Sequence, residues 1–194
     1  MKKPAYTGIV LAGGKSSRMG SDKGLLQYNG KCMVEHALNA LKPVVDELFI
    51  VANNPAYTRF SYPVYADILP DCGPMGGIFT GLSLSKHSEN IILSCDIPHV
   101  DSSLISRLLD VKRDAQVRVP RHHEKVEPLC AVYHKSCAET LKQLLHKKEL
   151  KMKNALSHFR VVYLDLPSDA HTEWIFKNLN FPSDIHPTIE LPCK

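Results

Sequence analysis

The six cysteines, at positions 32, 72, 95, 130, 137 and 193, include no C-x-x-C pair and follow no regular spacing. The spacing offers no disulfide framework, and no apolar stretch of the signal-peptide kind follows Met1-Lys2-Lys3. Reduced thiols in a cytoplasmic protein are therefore expected. Ten histidines are present, with His122-His123 and His134 as the densest group. Neighbouring histidines on a strand face opposite ways, so a zinc site is not expected there. The chain has no internal repeat, no low-complexity tract and no amphipathic membrane helix, so nothing suggests membrane association. Its net charge of +4 is spread out apart from Lys147-Lys148 and Lys151 with Lys153. Without a dense basic face interleaved with aromatics, nucleic acid is not an expected partner. No Ser-His-Asp or Cys-His set for covalent catalysis stands out.

What is present starts with size: 194 residues at 44% hydrophobic content suffice for one α/β domain with a full core and are few for two. The sequence is densest in information from Gly8 to Leu26. An apolar run, Ile9-Val10-Leu11, stops at Gly13-Gly14, and small and cationic residues follow through Lys15, Arg18, Gly20, Lys23 and Gly24. A polyphosphate needs many donors at short range, which backbone N–H groups supply where side chains are absent. Lys15, Arg18 and Lys23 add positive charge. Two better-known phosphate signatures do not fit. Gly8 and Gly13 have the Walker separation, but Gly14 stands where the lysine belongs. The dinucleotide fingerprint needs glycines at the first, third and sixth positions, whereas these are adjacent.

The remaining chain reads as alternating strands and helices. Strands are expected at 7–11, 47–52, 63–66, 91–95, 115–120 and 161–164. Met33, Val34, Ala37, Leu38 and Leu41 share a helical face that Pro43 ends. The small residues Gly77 and Gly81 would let a helix beginning near Gly73-Pro74 lie close to the sheet. Further helices are expected at 104–109 and about 137–146, with Lys147 to Lys153 as a solvated helix face and Glu127 in a solvated turn. The expected fold class is α/β, a three-layer Rossmann-like domain over residues 1–194. It has a mainly parallel sheet, helices on both faces and a loose tail over 185–194.

Two carboxylates end strands. Asp67 by itself is read equally as a local cap or as a functional group. Asp96 closes the run Ile91 to Cys95, where an uncompensated charge costs several kcal/mol. Mg²⁺ is the economical counter-charge, since it binds one or two carboxylates together with substrate phosphates. The competing role, a helix cap, fits Asp101 or Ser102 better because Pro98 intervenes.

The stretch Leu11-Ala12-Gly13-Gly14-Lys15-Ser16-Ser17-Arg18-Met19-Gly20-Ser21-Asp22-Lys23-Gly24 resembles the signature loop of nucleotidyltransferases. Its Ala-Gly-Gly and Asp-Lys-Gly resemble the molybdenum cofactor guanylyltransferase family in particular. Cys95-Asp96-Ile97-Pro98 matches that family's Cys-Asp-x-Pro, and Gly73-Pro74-Met75-Gly76-Gly77 is similar to its Gly-Pro-Leu-Ala-Gly turn. Asn178-Leu179-Asn180-Phe181-Pro182 resembles its Asn-x-Asn-Thr-Pro, with Phe181 replacing the threonine. Glu127 departs from a usual histidine.

The resemblance implies GTP as donor and molybdopterin as acceptor, with transient contact to other cofactor-biosynthesis proteins or to recipient molybdoenzymes. It also implies that Asp67 lies near the nucleotide and that Asn178 and Asn180 contact the acceptor. In such a transfer an acceptor phosphate attacks the α-phosphorus, and positioning with charge stabilisation carries the catalysis. Lys23 is assigned to the reacting phosphates, Arg18 and Lys15 to the β and γ phosphates, and Asp96 to Mg²⁺. Base choice is assigned to main-chain groups at Leu11, Ala12 and Gly13, with Gly14 beside them, and to Asn53. The alternatives are a cytidylyl- or sugar-phosphate nucleotidyltransferase of the same fold, or a non-catalytic nucleotide-binding module. All of the enzymatic readings require the loop around Lys23 and the strand end at Asp96 to meet at one rim.

Overall fold

A computed structural model describes residues 4–13, 22–112 and 114–179. Strand β1 (Tyr6–Leu11) is buried at every residue. Its alternate side chains serve two cores: Val10 packs on one face of the sheet, and Ile9 and Leu11 pack on the other. That two-sided burial is what a continuous apolar run predicts for a central parallel strand.

In chain order there follow a hairpin of β2 (Gln27–Tyr28) and β3 (Lys31–Cys32), then α1 (Met33–Leu41), β4 (Glu47–Val51), β5 (Val64–Tyr65), α2 (Gly73–Leu84) and β6 (Glu89–Ser94). The second half has α3 (Ser102–Asp110), β7 (Val117–His122), β8 (Lys125–Val126), β9 (Cys130–His134), α4 (Cys137–His146), α5 (Met152–Leu156), β10 (Val161–Asp165) and α6 (Ala170–Ile175). The main sheet runs β5-β4-β1-β6-β9-β7-β10, with β8 paired to β7. Strands β5, β4, β1 and β6 are parallel, so Tyr65, Val51, Leu11 and Ser94 end on one rim. Strand β9 runs antiparallel to both β6 and β7. Its amino end, reached through Glu127-Pro128-Leu129, therefore joins the same rim.

The helices cover both faces. α1 and α3 bury Ala37, Leu38, Leu41, Ile105 and Leu108 against one, while α2 and α4 bury Ile78, Leu82, Leu141 and Leu145 against the other. α2 lies close to β1 because it presents glycine there: a Cβ on Gly81 would stand 2.7 Å from Ile9 Cγ2. Among the described residues no helix is long and apolar enough to cross a membrane.

One local feature differs from the sequence reading, and two others are elements that reading does not assign. The polar residues beyond the strand expected at 115–120 form a hairpin of β7 and β8, its two turn residues His123 and Glu124 at φ 44° and 58°, the geometry of a two-residue turn between twisted strands. The lysine-rich stretch is not one helix. Lys148 takes φ 58° and its N–H bonds back to the Leu145 carbonyl at 3.0 Å, which ends α4 before α5 begins at Met152. Trp174 belongs to a short helix, α6, capped by Asp169 Oδ1 accepting from Thr172 N–H at 2.8 Å.

Candidate active site

Lys23 opens a 3-10 turn, Lys23–Leu25, whose amino end is fixed by Asp22. Asp22 Oδ1 accepts from Tyr57 Oη at 2.5 Å and from the Gly24 N–H at 3.3 Å, and Oδ2 accepts from Asn54 Nδ2 at 3.0 Å. Tyr57 has no solvent exposure. Burial first, then the neighbouring Cys95 and Asp22, push its hydroxyl well above the usual tyrosine range, so it remains a donor. Gly24, which the sequence pattern places in the phosphate cradle, serves packing instead. Its N–H is committed to Asp22, and a Cβ there would stand 2.2 Å from Tyr57 Oη.

Asp96 follows the end of β6. The Cys95 N–H donates to the Leu11 carbonyl at 3.1 Å, tying this corner to the end of β1. Asp96 Oδ1 accepts from Ser94 Oγ at 2.6 Å, and Oδ2 lies 3.8 Å from Lys23 Nζ. The two side chains are 19% (Lys23) and 25% (Asp96) exposed. At an effective dielectric near 20 their raw attraction is about 4 kcal/mol, much of it offset by the cost of removing both charges from water. The sequence-distant groups on which the enzymatic reading depends thus face each other at the rim. Burial, then Asp96 and Asp22, push the Cys95 thiol up to about 12, so at neutral pH it is no nucleophile.

On the other side of β1, Asn53 and Asp67 pair through two hydrogen bonds. Asn53 Nδ2 donates to Asp67 Oδ2 at 3.0 Å, and the Asp67 N–H donates to Asn53 Oδ1 at 2.9 Å. Asp67 Oδ1 is buried without a hydrogen-bond partner, 3.8 Å from where a Cβ on Gly77 of α2 would lie. Burial raises the Asp67 pKa, with the Asn53 bond acting against it. Of the main-chain groups named for base choice, the Ala12 N–H is held by the Val51 carbonyl at 3.0 Å and the Leu11 carbonyl by Cys95. Gly13 turns outward at φ 93°, a conformation that favours glycine, with open space where a Cβ would be.

Asn178 is exposed. It stands beside Leu179, whose N–H donates to the Asp96 carbonyl at 3.0 Å, so the described residues of this segment border the site through a backbone bond. Gly14, Lys15, Arg18, Asn180 and the stretch 185–194 lie outside the described residues. Glu127 is half-buried, not in a solvated turn: Oε1 lies 3.1 Å from His122 Nε2, and burial raises its pKa against that contact.

The sequence does not mark Asp22, Asn54 and Tyr57 as a unit. Asp22 ahead of a lysine-glycine turn and Asn54 before Pro55 carry cap signals, but nothing in the pattern pairs them with each other or with Tyr57.

The mostly parallel sheet has a glycine corner after its first strand and a lysine and a carboxylate meeting at its rim, and the family match that covers it makes the chain a nucleotidyltransferase. More narrowly, residues 8–160 match the family model of the MobA-like NTP transferase domain, and the chain belongs to that family. It is 34% identical over 161 residues to the probable molybdenum cofactor guanylyltransferase of Clostridium perfringens (strain SM101 / Type A), covering 81% of each chain. It is 32% identical over 188 residues to the probable molybdenum cofactor guanylyltransferase of Carboxydothermus hydrogenoformans, covering 95% of each. Its fold is similar to that of molybdopterin-guanine dinucleotide biosynthesis protein A from Archaeoglobus fulgidus. That likeness has a TM-score of 0.78 at 24% identity, over 92% of this chain and 94% of that one.

Proposed function

We propose that this chain transfers the GMP moiety of GTP to the phosphate of molybdenum-bound molybdopterin, forming molybdopterin guanine dinucleotide and releasing pyrophosphate. The observation that carries the reading is the approach of Lys23 Nζ to Asp96 Oδ2, 3.8 Å at the rim reached by the glycine corner. In the transfer, an acceptor phosphate oxygen forms a bond to the α-phosphorus while the bond from that phosphorus to the β-bridging oxygen breaks. Phosphate oxygens are largely deprotonated at neutral pH, so no general base is required and no protein nucleophile intervenes. Lys23 places its ammonium beside the reacting phosphates, and Asp22, held by Tyr57 and Asn54, fixes the turn from which Lys23 reaches.

The residues present fit Mg²⁺. Asp96 offers a carboxylate oriented by Ser94 at the end of a buried strand. Mg²⁺ takes one or two carboxylates and completes its shell with phosphate oxygens and water. Asp96 would hold it, and when bound it neutralises charge on the triphosphate.

The functional test is a nucleotide panel with Mg²⁺ read by thermal shift, followed by pyrophosphate release with molybdopterin as acceptor. GTP is expected to give the largest shift and to support release. CTP or UTP stabilising the protein more than GTP would overturn the choice of base, and no release with any nucleotide and acceptor would leave a binding module.

A further inference from the structure

Trp174 is the chain's only tryptophan, and it stands 50% exposed on α6. Its ring is stacked on His99, with centroids 3.8 Å apart and planes 22° from parallel. His99 is itself held from behind. Tyr28 meets its ring edge-on at 5.5 Å, with Tyr28 Oη 3.5 Å from His99 Nε2, and His36 Nε2 contacts the Tyr28 carbonyl at 2.8 Å. Burial first, then the neighbouring His36 and Lys177, hold the His99 pKa below the usual imidazole value. One side of the indole is thus spent on a braced support, His171 of the same helix lies nearly parallel to the ring with centroids 6.4 Å apart, and half of the residue still meets water.

The position of this stack relates it to the site. His99 follows Asp96 by one short turn, Ile97-Pro98. Tyr28 lies in the β2–β3 hairpin directly after the Lys23 turn. Beyond α6, Leu179 donates to the Asp96 carbonyl and packs on Met33, with Leu26 and Tyr28 against the same cluster. The stack is therefore built from three segments that also fix Lys23 and Asp96, on the side of Asp96 away from Asn53 and Asp67. Lys177 adds a cation on an exposed segment beside His99. A flat, braced aromatic surface with a cation beside it suits an anionic ligand carrying a planar heterocycle.

We infer that Trp174 is the platform on which the acceptor's fused pterin ring lies while its phosphate reaches Lys23 and Asp96, with His99 and Tyr28 as positioning residues beneath it. The inference rests on the acceptor named in the functional reading above. Stacking selects ring shape and leaves the triphosphate untouched, so it acts on acceptor binding alone.

The test compares wild type, Trp174→Ala and Trp174→Phe in GMP transfer from GTP to molybdopterin. Trp174→Ala is expected to raise the acceptor KM roughly tenfold, the scale of base-on-aromatic stacking, leaving the GTP KM and the GTP-induced thermal shift as in wild type. Trp174→Phe, which keeps a ring, is expected to restore most of the loss. Independently of turnover, a 6-substituted pterin bearing a phosphomonoester should saturably quench the single tryptophan's emission in wild type without GTP or metal, whereas inorganic phosphate should not. An unchanged acceptor KM in Trp174→Ala, or no quenching by the pterin phosphate, overturns the platform and leaves the functional reading standing. So does a loss of GTP affinity equal to the loss of acceptor affinity, because that pattern belongs to a merely structural tryptophan. Wild type releasing no pyrophosphate with molybdopterin, yet releasing it with a different acceptor, overturns the functional reading and the platform with it.

Discussion

Replacing Tyr57 with phenylalanine deletes one hydroxyl from a side chain that has no solvent exposure. That hydroxyl donates to Asp22 Oδ1 at 2.5 Å, and a hydrogen bond to a charged acceptor contributes about 1.5–3 kcal/mol. Asp22 keeps Asn54 Nδ2 and the Gly24 N–H, which argues for a loss near the lower end, about 2 kcal/mol, or roughly 4–8 °C in Tm for a chain of this size. Because Asp22 sets the turn that carries Lys23, turnover is expected to fall between about tenfold and a hundredfold, the cost of a small misplacement of a reacting group. The same hydroxyl is what forbids a side chain at position 24, where a Cβ would lie 2.2 Å from Oη and 3.1 Å from the nearest ring carbons. Gly24→Ala should therefore cost about 2–3 kcal/mol in the wild-type background and about 1 kcal/mol in the Tyr57→Phe background, since the remaining contacts yield with small shifts. Chemical denaturation of wild type, both single variants and the double variant measures the difference. Strict additivity, or a Tyr57→Phe enzyme with wild-type stability and turnover, would refute the assignment of Asp22, Tyr57 and Gly24 to one positioning unit.

Lys23→Ala and Asp96→Ala are each expected to lower turnover by orders of magnitude while the thermal transition stays cooperative; pyrophosphate release at saturating GTP checks this, and wild-type rates would remove that residue from the chemistry. Asp67→Asn is expected to stabilise the ligand-free protein at neutral pH. The folded-state pKa of Asp67 lies above its unfolded value, so its ionisation disfavours folding as pH rises through the folded pKa, and below the unfolded value the penalty vanishes. Denaturation curves should accordingly separate the variant from wild type at pH 7 and converge as pH falls below about 4. The same variant should bind GTP more weakly in the thermal-shift assay, and a wild-type stability that does not fall relative to the variant between about pH 4 and pH 7 would contradict the raised pKa of Asp67.

Periodicity makes β1, α1, β4, β6 and α4 legible, because each has an apolar pattern that only one secondary structure can bury. The end of the lysine-rich stretch is not legible, since a lysine at φ 58° carries no compositional mark. Nor is α6, six residues long and started by an aspartate cap that resembles many loop aspartates. At the site, Lys23 and Asp96 can be named because glycine spacing and a strand-ending carboxylate are local features. The Asp22–Tyr57–Asn54 hub and the His99–Trp174 stack join residues far apart in sequence, through contacts that only the folded chain creates. Gly24 shows the reverse: its place in the motif suggests a phosphate contact, and the packing of one hydroxyl accounts for it.

The bond from Leu179 to the Asp96 carbonyl closes the site with a piece of chain made well after the strands it steadies. During synthesis the segments bearing Lys23 and Asp96 can assemble long before that clasp leaves the ribosome. An immature chain would thus hold the charged pair without the neighbour that braces it. Mature protein and nascent precursor differ in that stitch and in the packing of Phe176 and Leu179 that arrives on the same segment.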